Sequence, residues 1–231
     1  MNPAKPLLFI SLCALFASCM STVFSEELQF VTDLSSLLNG TKVKLTKGIV
    51  TGAGSGTFKK MEILITEPSI DSQHIERQMN YLKSIPALAL INSKVTNLSD
   101  YRYVDVVIDS KSLGKSSVRY ESSELKQVRE CIPTINGYIF GIQHLNKDSL
   151  QYYSDPEKLR RKPIDYLLTA LAKTDSVYGK AHDPNFQGFR VGDYNGRRSF
   201  YFFVALPRKE KNHIIDIVVD PTIRKVMAVN L

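Results

Sequence analysis

Between residues 42 and 121 the apolar positions fall first at every second residue, then at helical spacing, then at every second residue again. Val43, Leu45 and Ile49 alternate with Lys42, Lys44 and Thr46, which predicts a half-buried strand. Met61, Ile63 and Ile65 alternate in the same way with Lys60, Glu62 and Leu64. A helix is expected from Asp71 or Ser72, either of which can cap it, with Ile75, Met79 and Leu82 on one face and Pro86 ending or kinking it. Val104, Val106 and Ile108 form the inner side of a further strand, and Tyr103, Asp105, Val107 and Asp109 share its other side. The reading is strand, strand, helix, strand, strand: one helix on a sheet.

The order then inverts. The polar stretch Ser122 to Glu130 marks an expected junction. Helices are expected from about Pro133 to Leu145, over Asp148 to Tyr153, and from Pro163 to a stop at Gly179. In the last of these, Ile164, Leu167, Leu168 and Leu171 follow i, i+3, i+4, i+7. Strands follow over Phe200 to Leu206, Ile214 to Val219 and Ile223 to Val229, with turns at Pro207 to Asn212 and at Asp220-Pro221. Phe200, Phe202, Val204 and Leu206 point one way and Tyr201, Phe203 and Ala205 the other. That strand is expected to be buried twice: one face meets the long helix, and the other needs a second helix, a pocket or a partner.

The N-terminus has a third pattern. Lys5 precedes a nearly unbroken apolar run, Leu7 to Ala17, closed by Phe16-Ala17-Ser18-Cys19. The run is about half the roughly 20 residues of a spanning helix, which fits a secretory signal peptide rather than a retained span. Its end resembles the lipobox of bacterial lipoproteins, with small residues ahead of the cysteine. That resemblance implies cleavage before Cys19, its acylation, and anchoring of the mature chain to a membrane. Cleavage after Ser25 is the alternative and would leave a secreted or periplasmic protein. Met20 after the cysteine slightly favours the outer membrane of the cell envelope.

Cysteine usage agrees. Cys13 leaves with the leader and acylated Cys19 is unavailable, so Cys131 has no partner for a disulfide; its spacing from Leu125 and Val128 marks it as a buried hydrophobe. The net charge of +7 is spread along the chain, densest over Lys158 to Lys162, with further basic groups at Arg197-Arg198 and Arg208 to Lys211 that read as solvated turns. No nucleic-acid partner, metal or cofactor is expected. The glycine run Gly52-Ala53-Gly54-Ser55-Gly56 leads into a strand rather than a helix, so it reads as a hairpin loop and not a phosphate cradle. The sequons at Asn39 and Asn97 lose meaning under the lipoprotein reading.

Residues 133 to 231, with helices first, the segment Asp175-Ser176-Val177-Tyr178-Gly179-Lys180 and a meander ending in Lys225-Val226-Met227-Ala228-Val229, resemble the nuclear-transport-factor-2-like, cystatin-like cone superfamily. The resemblance implies a curved sheet closed by helices, often around a pocket. Many members are binding modules and others are isomerases or cyclases. For such an enzyme the carboxylate candidate is Asp216, which shares a strand face with Ile214 and Val218. Tyr201 and Tyr166 are the donor candidates, and His182 beside Asp183 is a group able to act near neutral pH. Each also has a plain structural role.

The expected fold is α+β: a signal peptide (1–18), an anchor and tether (19–40), an N-terminal helix-on-sheet domain (41–121) and a C-terminal cystatin-like domain (130–231). The expected function is that of a lipid-anchored envelope module that binds a small apolar ligand or an envelope protein without catalysis. The alternative is a cone-fold isomerase or cyclase with a pocket carboxylate.

Overall fold

The computed structural model describes residues 25–52, 56–69, 75–93, 97–158 and 164–230. Cys13, Cys19, Asp71, Ser72, Pro163 and most of the 158–162 basic run lie outside these residues. The architecture is α+β, with five helices and two four-stranded sheets among the described residues.

Strands β1 (Lys42–Gly52), β2 (Gly56–Thr66), β3 (Tyr103–Ser110) and β4 (Gly114–Glu121) form the first sheet in chain order. β1 and β2 are an antiparallel hairpin closed at Gly52 and Gly56, where a loop was expected. Helix α2 (Ile75–Asn92) crosses over to β3, which runs parallel to β2, and β4 returns antiparallel. Met61, Ile63, Ile65, Val104, Val106 and Ile108 are fully buried on the inner face, as their alternation requires.

Two expectations fail near the N-terminus. Residues 25–37, assigned to a tether, form helix α1, and the chain brings Phe30, Leu34 and Leu38 into the core at i, i+4, i+8. Ile49, expected inside, is 69% exposed. Glu27 of α1 pairs with Lys47, and Ile49 lies beyond that contact, towards the hairpin end of β1.

The expected junction at 122–130 is instead the first half of helix α3 (Ser122–Gln143), which continues through Pro133. Leu125, Val128, Cys131, Ile135, Tyr138 and Ile142 are buried on one side of it. Its polar face carries Glu124, Lys126, Arg129 and Glu130, which gave the segment the look of a linker. Helix α4 (Lys147–Tyr153) is capped by the Asn146 side chain, which accepts from the Ser149 N–H at 3.0 Å. α4 approaches α3 closely because Gly141 leaves room: a Cβ there would lie 2.8 Å from Leu150 Cδ2. Helix α5 (Ile164–Tyr178) stops at Gly179, whose φ of +85° only glycine adopts at low cost.

The second sheet is an antiparallel meander of β5 (Asn185–Tyr194), β6 (Arg197–Leu206), β7 (His213–Asp220) and β8 (Lys225–Asn230). The last three were expected and β5 was not. Its inner face (Phe200, Phe202, Val204, Ile215, Ile217 and Val219) is sealed against the helices.

The two halves are joined through side chains. α2 packs against both β3 and β5, and its second half, from Leu82 to Ile91, is buried nearly all round. The Arg129 guanidinium of α3 donates to the Ile91 carbonyl that ends α2, at 3.0 and 2.6 Å. Thr134 Oγ1 of the same helix donates to the Arg224 carbonyl at the far sheet, at 2.9 Å. The buried apolar residues of both halves form one contiguous cluster. No helix among the described residues is long and apolar enough to cross a membrane.

Candidate functional site

The two-sided alternation of β6 builds a second, smaller cluster on the outer face of the second sheet. Register places Tyr201 opposite Arg190 and Val218, Phe203 opposite Asp216, and Val218 opposite Ala228. Tyr201, Val218 and Met227 are buried there, with Tyr194, Phe203 and Ala228 packed around them and half-exposed. Met227 reaches this face through a bulge in β8 that shifts the register between Val218 and Val219. Gly192 makes room for the tyrosine ring, since a Cβ there would lie 3.0 Å from Tyr201 Cε2. Arg190 stacks its guanidinium 4.1 Å from the same ring, and Tyr201 Oη donates to the Asp193 carbonyl at 2.5 Å.

The expected candidates are distributed unevenly over this geometry. Asp216 and Tyr201 do share a face, one diagonal step apart in register, and Asp216 is half-buried between Phe203 and Asn230 on the neighbouring strands. The face is the outer one, so Asp216 does not look into the space between sheet and helices. The Tyr201 hydroxyl is committed to a backbone carbonyl. His182 is exposed in the loop before β5, its N–H bonded to the Pro207 carbonyl at 3.0 Å. It is about 20 Å along β6 from Tyr201, given the rise of a strand. Tyr166 is 68% exposed on α5. Cys19, the lipidation candidate, is outside the described residues.

Sequence reasoning missed a charged cluster at the other end of β6. Arg208, read as a solvated turn residue, is 5% exposed and donates from Nε and Nη2 to Asp175 Oδ1, at 3.1 and 2.7 Å. The His213 ring lies 4.9 Å from the Tyr178 ring, with Lys211 over that tyrosine. Burial, Arg208 and Lys211 together hold the His213 imidazole below its ordinary pKa, and its Nδ1 is buried without a hydrogen-bond partner. Asp105 on the first sheet is likewise buried rather than solvated, gripped by Arg119 at 2.7 and 3.0 Å. The two aspartates belong to ion pairs, and no group of three or more metal-ligating side chains occurs among the described residues.

Cys131 behaves as its spacing implies. Burial pushes its thiol up to about 12, so it stays protonated and unreactive at neutral pH. The glycosylation sequon at 97 has a structural use: Asn97 caps a short 3₁₀ turn by accepting from the Ser99 N–H. Two surface grooves lie on the first half. One, of about 550 Å³, runs between Val31 and Ser35 of α1 and Lys42 and Lys44 of β1. The other, of about 440 Å³, is lined by Ile49, Phe58, Lys59, Tyr101 and Arg102.

No family model matches this chain, and no curated protein or solved structure is significantly similar to it.

Proposed function

We propose that this chain is an extracytoplasmic module, held at a membrane through acylated Cys19, that binds another protein through the outer face of its second sheet. The observation that carries the binding reading is the apolar cluster of Tyr201, Val218 and Met227, on the side of the sheet away from the main core, ringed by half-exposed Tyr194, Phe203 and Ala228. An aromatic centre with an arginine stacked beside it is the composition of a protein contact surface. The sealed inner face favours a protein partner over an enclosed apolar ligand, because Phe200, Phe202, Val204, Ile215 and Ile217 already fill that space. Three helices followed by an antiparallel meander support the cystatin-like cone reading of residues 133–231. The leader pattern ending at Cys19 supports the anchor.

Titration with a naphthalene-sulfonate dye tests the face. The account expects saturable dye binding by the chain from Glu26 onwards. Binding is lost in Phe203→Lys and kept in Ser117→Lys, the latter on the outer face of the first sheet. Equal binding by all three proteins would remove this face from the proposal. The isomerase or cyclase alternative makes Asp216 indispensable: an isomerase activity on an unsaturated ketone that disappears in folded Asp216→Asn would replace the binding reading.

A further inference from the structure

We propose that the free edge of β1 takes up an extended segment of another protein, in which acidic and apolar residues alternate, as a further strand of the first sheet. This site is separate from the outer face of the second sheet and does not depend on it. β1 is an edge of its sheet: it pairs with β2, and among the described residues no strand pairs with its other side. The edge of the second sheet at β8 is covered, since Ser154 bridges to Val226 and the Asp155 N–H donates to the Val226 carbonyl at 2.8 Å. Beside β1 lies instead the groove of about 550 Å³ that separates it from α1.

Local structure fixes the walls of that groove. α1 ends in a turn around Asn39, at a φ of +57°, where the Gly40 N–H donates to the Ser35 carbonyl at 2.8 Å. Thr41 Oγ1 donates to the Leu38 carbonyl at 2.6 Å, and Ser35 Oγ to the Thr41 carbonyl at 2.7 Å. The helix is thus tied to the strand where the groove begins. A wall set in place before binding spares the complex the cost of ordering it.

An added strand points alternate side chains to opposite faces of the sheet. On the side of α1 they meet Val31 and Val43, which are half-buried. On the other side they meet Lys42 and Lys44, exposed and opposite Thr66 and Leu64 in register. Lys47, further along, is already paired with Glu27, whereas Lys42 and Lys44 have no carboxylate partner among the described residues. The lining of the groove holds these lysines and no acidic side chain. Two copies joined edge to edge over this stretch would set lysine against lysine, which is unfavourable. An acidic segment turns the same two charges into an attraction.

A fluorescein-labelled peptide of alternating glutamate and valine tests the edge on the full-length chain. Anisotropy reads its binding, and amide hydrogen exchange reads the strand. The expected result is saturable binding that slows exchange over residues 42–46 by about tenfold or more, through new main-chain hydrogen bonds. Lys44→Glu and Ser36→Trp, both at exposed groove positions, should each weaken binding about tenfold with the melting temperature unchanged. A peptide with lysine in place of glutamate should not bind, nor should a copy N-methylated at every residue. Binding without slowed exchange in β1, or equal binding by the N-methylated copy, means charge attraction alone and overturns the proposal. So does undiminished binding by either variant, or no binding at all. An edge already protected in the free protein overturns it too: protection lost on dilution means that a second copy covers β1, and protection that persists means that the chain covers itself.

Discussion

The two sheets have the same number of strands and opposite outer faces. On the first, Lys42, Lys44, Lys60, Glu62, Asp109, Lys115 and Ser117 face outward, and the ion pair between Asp105 and Arg119 lies across the centre. On the second, tyrosine, phenylalanine, valine and methionine hold the same place. A sheet with one packed face alternates apolar and polar residues, whereas near-continuous apolar strands need cover on both sides. The outer face of the first sheet does hold Leu64 and a buried Val107, but these sit among charged and polar neighbours rather than in an aromatic cluster. The second carries apolar area that the core does not require, and that surplus is the reason to place binding there.

Their ion pairs differ in the same sense, and the largest predicted effect tests it. In the second half Arg208 is enclosed, its side chain 1% exposed, so Asp175→Ala strands a buried charge and should cost about 3–5 kcal/mol. In the first half Arg119 is 60% exposed, and Asp105→Ala should cost about 1 kcal/mol or less. Urea unfolding of the two variants measures both; equal losses would erase the distinction between a pair whose arginine is enclosed and one whose arginine is open to solvent.

Next comes the seam. Gly188 on β5 has a φ of +129° and packs on Ser84 and the Asn80 carbonyl of α2. Gly188→Ala combines backbone strain with a clash and should cost about 2–3 kcal/mol. Because one core runs through both halves, calorimetry should show a single transition moved to lower temperature. Two transitions, of which only one moves, would mean that the sheets fold separately.

The smallest effect is one of pH. The folded-state pKa of His213 lies below its ordinary value of 6.5, so between the two values the unfolded chain binds the extra proton. Stability is therefore full above pH 6.5 and falls as the pH drops towards the folded pKa. In His213→Gln that part of the decline should vanish, as read from melting temperatures across a pH series; an unchanged slope would assign it to other groups.

The contrast between the halves also governs what could be read in the sequence. Alternation over Met61 to Ile65 and Val104 to Ile108 identified the central strands of the first sheet and their succession along the chain, because one-sided burial writes itself as period two. β5 was missed because it mixes Gln187, Gly188, Arg190 and Gly192 among its apolar residues, the glycines serving the close approach of α2 and the Tyr201 ring. A local signal did exist: Asn195-Gly196, both at positive φ, is the two-residue turn that joins β5 to β6. Helix α1 was also legible at Phe30, Leu34 and Leu38, but stood in the shadow of the leader. Doubly apolar β6 was read correctly, and with it the existence of a second buried face. The enclosure of Arg208 was not legible, since its partner Asp175 is 33 residues away.

The most direct test of the binding claim is site-specific photo-crosslinking of the intact protein in its native membrane, with the photoreactive residue at Phe203 in one variant and at Ser117 in the other. The account predicts a discrete protein adduct from position 203 and none from position 117. No adduct from 203, or the same adduct from both positions, would contradict it.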